Sequence, residues 1–405
     1  MLNSSKMKTL VLGCSLFILA FAMIISPKVS FTASKAGLEL WWGVVFPSLL
    51  PFFILSQLLT GFGVVAFIGV LLEPVMRPLF RVPGIGGFVW AMGWASGSPA
   101  GAKLTAEMRK KQQLTAGEAE RLVSFTNSSN PLFIFGAVAI GFFNNQALGL
   151  LLAAAHYSGN LAVGLTMRFH GRDSQSENQD KSRKIPSIKQ AFDEMHRTRL
   201  EDRRPIGKML GDAVLSSIQT LLMVGGFIIL FSVINKLLSL LSLTDAAAAG
   251  FSLILASVHL SASLGLPLVS GLFEMTLGSQ LVSTVDTDLL QKAIVVSFML
   301  GFSGLSIQAQ VASILADTDI RFQPFFAARI LQGIYAAFFA WLFWKPLYLG
   351  VSGSEVSVIP VFLREDAPVV LGSVWSVLTQ TGPVITLFSL SVYVIIYAKR
   401  MLQRK

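Results

Sequence analysis

Gly93-Trp94-Ala95-Ser96-Gly97-Ser98-Pro99-Ala100-Gly101 interrupts an apolar stretch in the first half of this chain. Ser270-Gly271-Leu272-Phe273-Glu274-Met275-Thr276-Leu277-Gly278 interrupts one in the second half. A second interruption follows each: Thr126-Asn127-Ser128-Ser129-Asn130-Pro131, then Gly301-Phe302-Ser303-Gly304-Leu305-Ser306. Broken helices in corresponding positions of two halves are the sequence mark of a transporter's substrate site. They predict a small-molecule carrier rather than an anchor or a scaffold.

Composition sets the frame for that reading. Of 405 residues, 53% are hydrophobic and only 13% charged, where a soluble domain has about 25% charged residues. The deficit predicts a polytopic membrane protein, and 34 Gly fit it, since Gly is commoner in membrane helices than in soluble ones. The single cysteine, Cys14, excludes a disulfide framework and a Cys-based metal site. Four scattered His lack a spacing such as His-Glu-x-x-His, so neither a metal nor a cofactor is expected. The formal charge of +10 does not point to nucleic acid. The basic residues fall in loops and tails between apolar runs, as the positive-inside rule places them on the cytoplasmic side.

A membrane span takes about 20 apolar residues. Spans are expected near 7–26, 38–59, 62–80, 121–143 and 147–169 in the first half. In the second they are expected near 209–240, 246–266, 289–315, 325–349 and 383–399, with 85–101 and 268–285 re-entrant or discontinuous. Lys6, Lys8 and Ala20-Phe21-Ala22 give 7–26 some likeness to a signal peptide. The apolar run continues through Met23-Ile24-Ile25, however, which favours an uncleaved first span with a cytoplasmic N-terminus. Residues 1–37 are that helix and its connection, 38–169 a first repeat and 209–349 a second. Between them, 170–208 is a polar cytoplasmic linker in which 187–201 can form an amphipathic surface helix. Residues 350–405 hold an extramembrane loop and a last span. The expected fold is therefore an all-α polytopic membrane protein of two structural repeats with paired broken or re-entrant helices.

Irregular backbone at membrane depth survives only when buried in protein or facing a water-filled cavity. In the first interruption Pro99 removes a donor, while Ser96 and Ser98 can bond freed backbone or a ligand. The rival reading is close helix packing, because Gly97-x-x-x-Gly101 has small-xxx-small form. Asn127, Ser128, Ser129 and Asn130 offer donors and acceptors without charge, which suits a carboxylate or ring nitrogen. The rival is a helix cap with Pro131 at the first helical position. Glu274, among apolar neighbours and beside Thr276, is a carboxylate at membrane depth and so a functional-site candidate. It can hold a coupling proton or Na⁺ or bond the substrate, or else be solvated at an interface. Ser303, Ser306, Gln308 and Gln310 form a polar stripe that either lines a cavity or glues helices together. Lys103 can neutralise an anion or snorkel to headgroups. His156 and His259 read as packing residues.

At these interruptions the chain resembles the nucleoside-recognition, or Gate, family, whose fold is related to that of concentrative nucleoside transporters. Phe273-Glu274 is similar to the Glu-Phe-containing hairpin of those carriers, where the Glu contacts substrate. The stretch from Gly301 to Ile307 resembles their Gly-Phe-Ala-Asn-Phe-Ser-Ser-Ile, which contributes an Asn and a Ser to the site. Ser98-Pro99 stands where they carry Gln-Thr-Glu-Ala-Pro. Small residues thus replace the acid and amide of the first hairpin, and Gly304 takes the place of the Asn. Within the family the chain is most similar to the stage V sporulation integral membrane proteins of endospore-forming bacilli. That resemblance implies export of dipicolinic acid from the mother cell across the outer forespore membrane. A pocket poor in carboxylates suits such a planar dianion better than a ribose. The implied partners are a small anionic substrate, membrane lipids and a coupling ion, proton or Na⁺, with a homo-oligomer open. Two other classes stay open: a nucleoside-type carrier, and a non-transporting sporulation assembly or signalling protein. A membrane enzyme lacks a nucleophile–base pair, metal cluster or phosphate loop.

Overall fold

The computed structural model describes residues 4–171 and 187–349. Linker residues 172–186, and the expected loop and span in 350–405, lie outside the described residues. The stretch Met1–Tyr348 is one compact unit. Among the described residues four helices are long and apolar enough to cross a membrane, or six when two bent pairs each count as one span.

The first bent pair is α1 (Ser4–Ile25) and α2 (Pro27–Leu40), which meet at 103°. Pro27 opens α2, where its missing N–H forfeits no intrahelical bond. A π-type turn (Trp41–Val45) leads into α3 (Phe46–Gly61) and α4 (Val64–Phe80). The stretches expected as separate spans, 38–59 and 62–80, thus make one pair bent by 82°. Gly63 turns the elbow at φ +76°, and a Cβ there would lie 2.4 Å from the Met195 carbonyl oxygen. Only glycine suits both the left-handed backbone and that approach.

A hairpin follows, α5 (Ile85–Ser96) and α6 (Ala100–Lys110), with Gly97-Ser98-Pro99 at its tip. The expected span 121–143 is broken. α7 (Ala116–Thr126) starts at a Thr115/Glu118 capping box, residues 127–130 are unwound, and a π-type helix, Leu132–Phe142, completes the crossing. Asn145 caps α8 (Gln146–Met167). The linker helix α9 (Ile188–Glu201) starts at a Ser187/Gln190 capping box and packs on α4.

The second half repeats this order. α10 (Ile206–Leu240) is 35 residues long, about 50 Å at 1.5 Å per residue, and overruns a hydrocarbon layer of about 30 Å. α11 (Leu243–Ser257) corrects the expected span 246–266. It stops after 15 residues at a turn where His259 takes φ +60°, too short a helix to cross. A second hairpin, α12 (Gly265–Phe273) and α13 (Met275–Thr284), turns at Glu274. The crossing 289–315 is broken into α14 (Leu289–Phe302) and α15 (Gly304–Leu315) at Ser303, φ +69°. α16 (Phe322–Phe343) and a π-type turn to Leu349 follow.

The two hairpins enter from opposite ends. The first begins and ends among charged groups: Arg121 donates to the Arg81 carbonyl, and Arg109 at the end of α6 is bidentate to Asp319 at 2.8 and 2.7 Å. The second begins where the Ser261 N–H donates to Gln291 and ends where Lys292 donates to the Ser283 carbonyl. Both lie beside the start of α14, at the end where Asn145 meets Tyr348. The halves are therefore inverted repeats, and α8 and α16, the last helix of each, cross at Gly159 and Ala336, where a Cβ on the glycine would lie 2.9 Å from the Ala336 nitrogen.

Glycines let the hairpins seat against their neighbours. A Cβ on Gly93 or Gly101 would lie 2.0 or 2.1 Å from the Thr126 carbonyl oxygen, and one on Gly278 would lie 2.2 Å from the Gly271 Cα. Gly93→Ala and Gly101→Ala should each lower stability by roughly 1–3 kcal/mol through overpacking. Gly226→Ala, with nothing within 4 Å of its Cβ, should gain up to about 1 kcal/mol from helix propensity. Unfolding of the purified protein in detergent measures all three, and equal effects would contradict the packing assigned to the first hairpin.

Candidate functional site

The four interruptions converge. Ser98 Oγ at the first tip donates to the Ser128 carbonyl at 3.1 Å, and Asn130 Nδ2 donates to the Ser96 carbonyl at 3.3 Å. Ser128 Oγ reaches the Gly93 carbonyl at 3.4 Å. Across the repeats, Ser129 Oγ lies 4.0 Å from Met275 Sδ, and Gly304 sits where a Cβ would be 3.2 Å from the Met275 nitrogen. Between them is a cavity of about 350 Å³. Its polar wall is Ser98, Ser129, Asn130, Glu274, Thr276, Ser306 and Gln310. Its apolar wall comes from Val45 and Leu49 near the start of α3, Phe133 just past the first break, and Val224 and Ile228 of α10.

Of the expected site residues, those seven line the cavity. Asn130 is a cap that also lines the cavity: its Oδ1 accepts the Phe133 N–H at 2.7 Å at the start of the Leu132–Phe142 helix. Glu274 is buried and likewise a cap. Its carboxylate accepts the Leu277 N–H at 2.8 Å and the Thr276 hydroxyl at 3.0 Å, and among the described residues no basic side chain pairs with it. Ser306 and Gln310 stand one turn apart on α15, buried. The Ser306 hydroxyl and both polar atoms of the Gln310 amide have no hydrogen-bond partner.

The remaining candidates lie behind the lining. Ser303 Oγ donates to the Leu300 carbonyl at 3.3 Å and Gln308 Nε2 to the Phe302 carbonyl at 3.0 Å, so both hold the cut end of α14. Ser96, Asn127 and Ser128 are buried, and the Asn127 amide and Ser96 hydroxyl lack partners. Pro99 precedes α6 directly. Lys103 points to α10, donating to Thr220 Oγ1 at 2.7 Å and to Ser216 Oγ at 3.0 Å. It does not line the cavity.

Sequence reasoning passed over the groups that fasten the first break. His156 Nε2 accepts the Ser129 N–H at 3.0 Å, and the Tyr157 hydroxyl donates to the Ser129 carbonyl at 3.1 Å. His156 is therefore more than packing. Trp90 and Trp94 both donate to Asn160 Oδ1 at 3.1 Å, and Asn160 Nδ2 reaches Gln332 at 3.5 Å. Arg329 of α16, fully buried, donates to the carbonyls of Ser124 and Asn127. A lone Arg inside an apolar span is the signal that could have found it.

At the charged end the repeats are locked by ion pairs. Glu120 accepts from Arg321 at 2.6 and 2.8 Å and contacts His170 at 2.7 Å. The Arg109 guanidinium beside Asp319 holds that carboxyl below the usual carboxylate range. The cavity's lining past the first break, Phe133, Gly136 and Ala137, lies on the other side of the break.

Inverted repeats whose re-entrant hairpins meet at a largely apolar cavity with one polar wall define a multi-pass integral membrane protein of transporter-like build. The Gate family model, described as nucleoside recognition, matches residues 42–146. The sporulation integral membrane protein YlbJ of Bacillus subtilis (strain 168) is 58% identical over 401 residues, 99% of this chain and 98% of that protein. The chain belongs to the family of that sporulation protein. A solved structure of CNTnw in an outward-facing state is similar at 13% identity with a TM-score of 0.41, covering 85% of this chain and 88% of that one.

Glu274 permits a separation of cap from charge. Glu274→Gln keeps an acceptor for the Leu277 N–H and should leave stability within about 0.5 kcal/mol, while Glu274→Ala should lose about 1–2 kcal/mol as caps do. Chemical unfolding in detergent distinguishes them. Equal losses would show that the carboxylate does not act as the cap of α13.

Proposed function

We propose that this protein is a carrier for a small anionic metabolite, dipicolinic acid in the first instance, with its site in the cavity between the four breaks. The observation that carries the reading is Ser306 and Gln310. A buried polar group left unpaired costs roughly 1–3 kcal/mol, and here three such atoms sit on one face of α15 against a cavity of ligand size. Hydroxyls and amides that lack a protein partner suit a solute rich in acceptors. The hydroxyls of Ser98, Ser129 and Thr276 stand on the same wall, with their protons directed to Ser128, Met275 and Glu274.

The charge distribution favours an anion over a sugar or a cation. The one carboxylate on the wall, Glu274, is engaged as a helix cap, and a guanidinium stands behind the unwound 127–130 segment. Lysines and arginines gather at the ends of α4, α6 and α8, which by the positive-inside rule supports a cytoplasmic setting for that end. The Arg109–Asp319 and Arg321–Glu120 ion pairs there support exchange of substrate toward the opposite face. The Bacillus subtilis relative is a sporulation integral membrane protein, which supports transport in a sporulating cell and a place in the outer forespore membrane.

Flux of labelled dipicolinate into proteoliposomes tests the proposal. The wild-type chain should carry dipicolinate and not uridine. Ser306→Ala combined with Gln310→Leu should lower the rate at least tenfold, as expected when hydrogen bonds to a charged solute worth about 1.5–3 kcal/mol each are lost. Uridine flux at a comparable rate would make it a nucleoside-type carrier. Flux of neither solute, with the double variant still supporting sporulation, would point to an assembly or signalling role.

A further inference from the structure

Arg329 heads the fully buried side chains by size and lies inside the candidate span Phe322–Leu349. A charge at that depth is kept only when it has work there. Its two terminal nitrogens donate to the carbonyls of Ser124 and Asn127, which are released where α7 ends. Its guanidinium lies 5.2 Å from the centre of the Phe325 ring, and its Nε–H has no hydrogen-bond partner. No carboxylate forms an ion pair with it among the described residues. The charge is balanced by carbonyl oxygens and by the negative end of the α7 dipole.

That environment is the one broken-helix carriers offer to a coupling cation, which sits at half-helix C-termini on unwound carbonyls. The second break is finished differently. There the freed carbonyls of Leu300 and Phe302 are taken by the Ser303 hydroxyl and the Gln308 amide, both neutral. A fixed positive charge thus stands at only one of the two cut helix ends, directly behind the backbone that carries Ser129 and Asn130 into the cavity.

We infer that Arg329 is a tethered counter-cation: it holds the position of a coupling Na⁺ at the first break, and the cavity accepts its anion with no Na⁺ bound there. Because the charge is covalently attached, it stays with the protein through the transport cycle and contributes no ion gradient. This deepens the anion-carrier reading, but its first test needs no substrate.

Thermal unfolding of the full chain in detergent is compared in NaCl and in choline chloride at equal ionic strength. The wild type should unfold at the same temperature in both. Arg329→Met should unfold lower in choline and recover part of the loss in Na⁺ or methylguanidinium. Arg329→Lys, which keeps a charge with a simpler donor geometry, should remain indifferent to Na⁺. Stabilisation of the wild type by Na⁺ over choline would overturn the inference. So would a folded Arg329→Met variant that responds to neither cation, since a purely structural arginine predicts that. Should Arg329→Met fail to fold, Arg329→Gln, which removes the charge and keeps an amide donor, takes its place in the same comparison with the same two outcomes. In proteoliposomes, replacing Na⁺ by choline should leave wild-type dipicolinate flux unchanged, and a tenfold fall would contradict the inference. Absence of any dipicolinate flux would instead sink the anion-carrier proposal and leave the detergent result standing.

Discussion

Every unwound N–H and C=O inside a bilayer must find a partner within the protein, because hydrocarbon supplies none and each orphan costs several kcal/mol. Two crossings of this chain are broken and two hairpins turn back beside them, and the fold is arranged around finishing those four interruptions. Asn130 caps one new helix and Glu274 another. His156 and Tyr157 take both backbone groups of Ser129, and Arg329 takes two carbonyls at the end of α7. The glycines at 93, 101, 271 and 278 bring the hairpins close enough for these bonds to form. Few of the groups near the breaks are left over. Among those that are, Ser306 and Gln310 stand on the cavity wall, while Ser96, Asn127 and the Nε of Arg329 lie behind it.

The inverted arrangement makes the two ends of the molecule unlike in chemistry although alike in shape. Each repeat has a hairpin, a broken crossing and a long unbroken helix, entering from opposite sides. At one end Arg109, Arg321 and His170 bind acids of the other repeat or of the neighbouring turn. The far end is joined by neutral contacts such as Asn145 to Tyr348. The two breaks are also unlike, one closed by a guanidinium and the other by an amide and a hydroxyl, so the field across the cavity is directional.

Much of this was legible in the sequence. The order Gly97-Ser98-Pro99 and the run from Asn127 to Pro131 cannot continue a helix in lipid, so the breaks and their pairing follow from composition alone. The first hairpin combines a close helix contact with a broken tip. Gly101 is a packing glycine against Thr126, while Gly97 takes φ +82° at the tip. The stretch 246–266 was illegible because its apolar run hides a turn at 258–261 with no proline or glycine to announce it. Lys103, read as an anion neutraliser or a snorkelling side chain, donates instead to Ser216 and Thr220. Trp90, Trp94 and Asn160 were hidden for another reason. Their roles depend on which helix faces which, and periodicity within one span does not carry that information.

That the cavity is a water-accessible substrate site facing away from the linker end is open to direct measurement. With the exposed Cys14 replaced by Ser, Ala137→Cys places one thiol on the cavity wall, and Leu230→Cys places one on an exposed position of α10. A membrane-impermeant methanethiosulfonate reagent applied from the side opposite the linker should modify the first and spare the second. Saturating dipicolinate should slow that modification several-fold. A thiol at 137 that stays unreactive, or that reacts at the same rate with and without dipicolinate, would contradict the site.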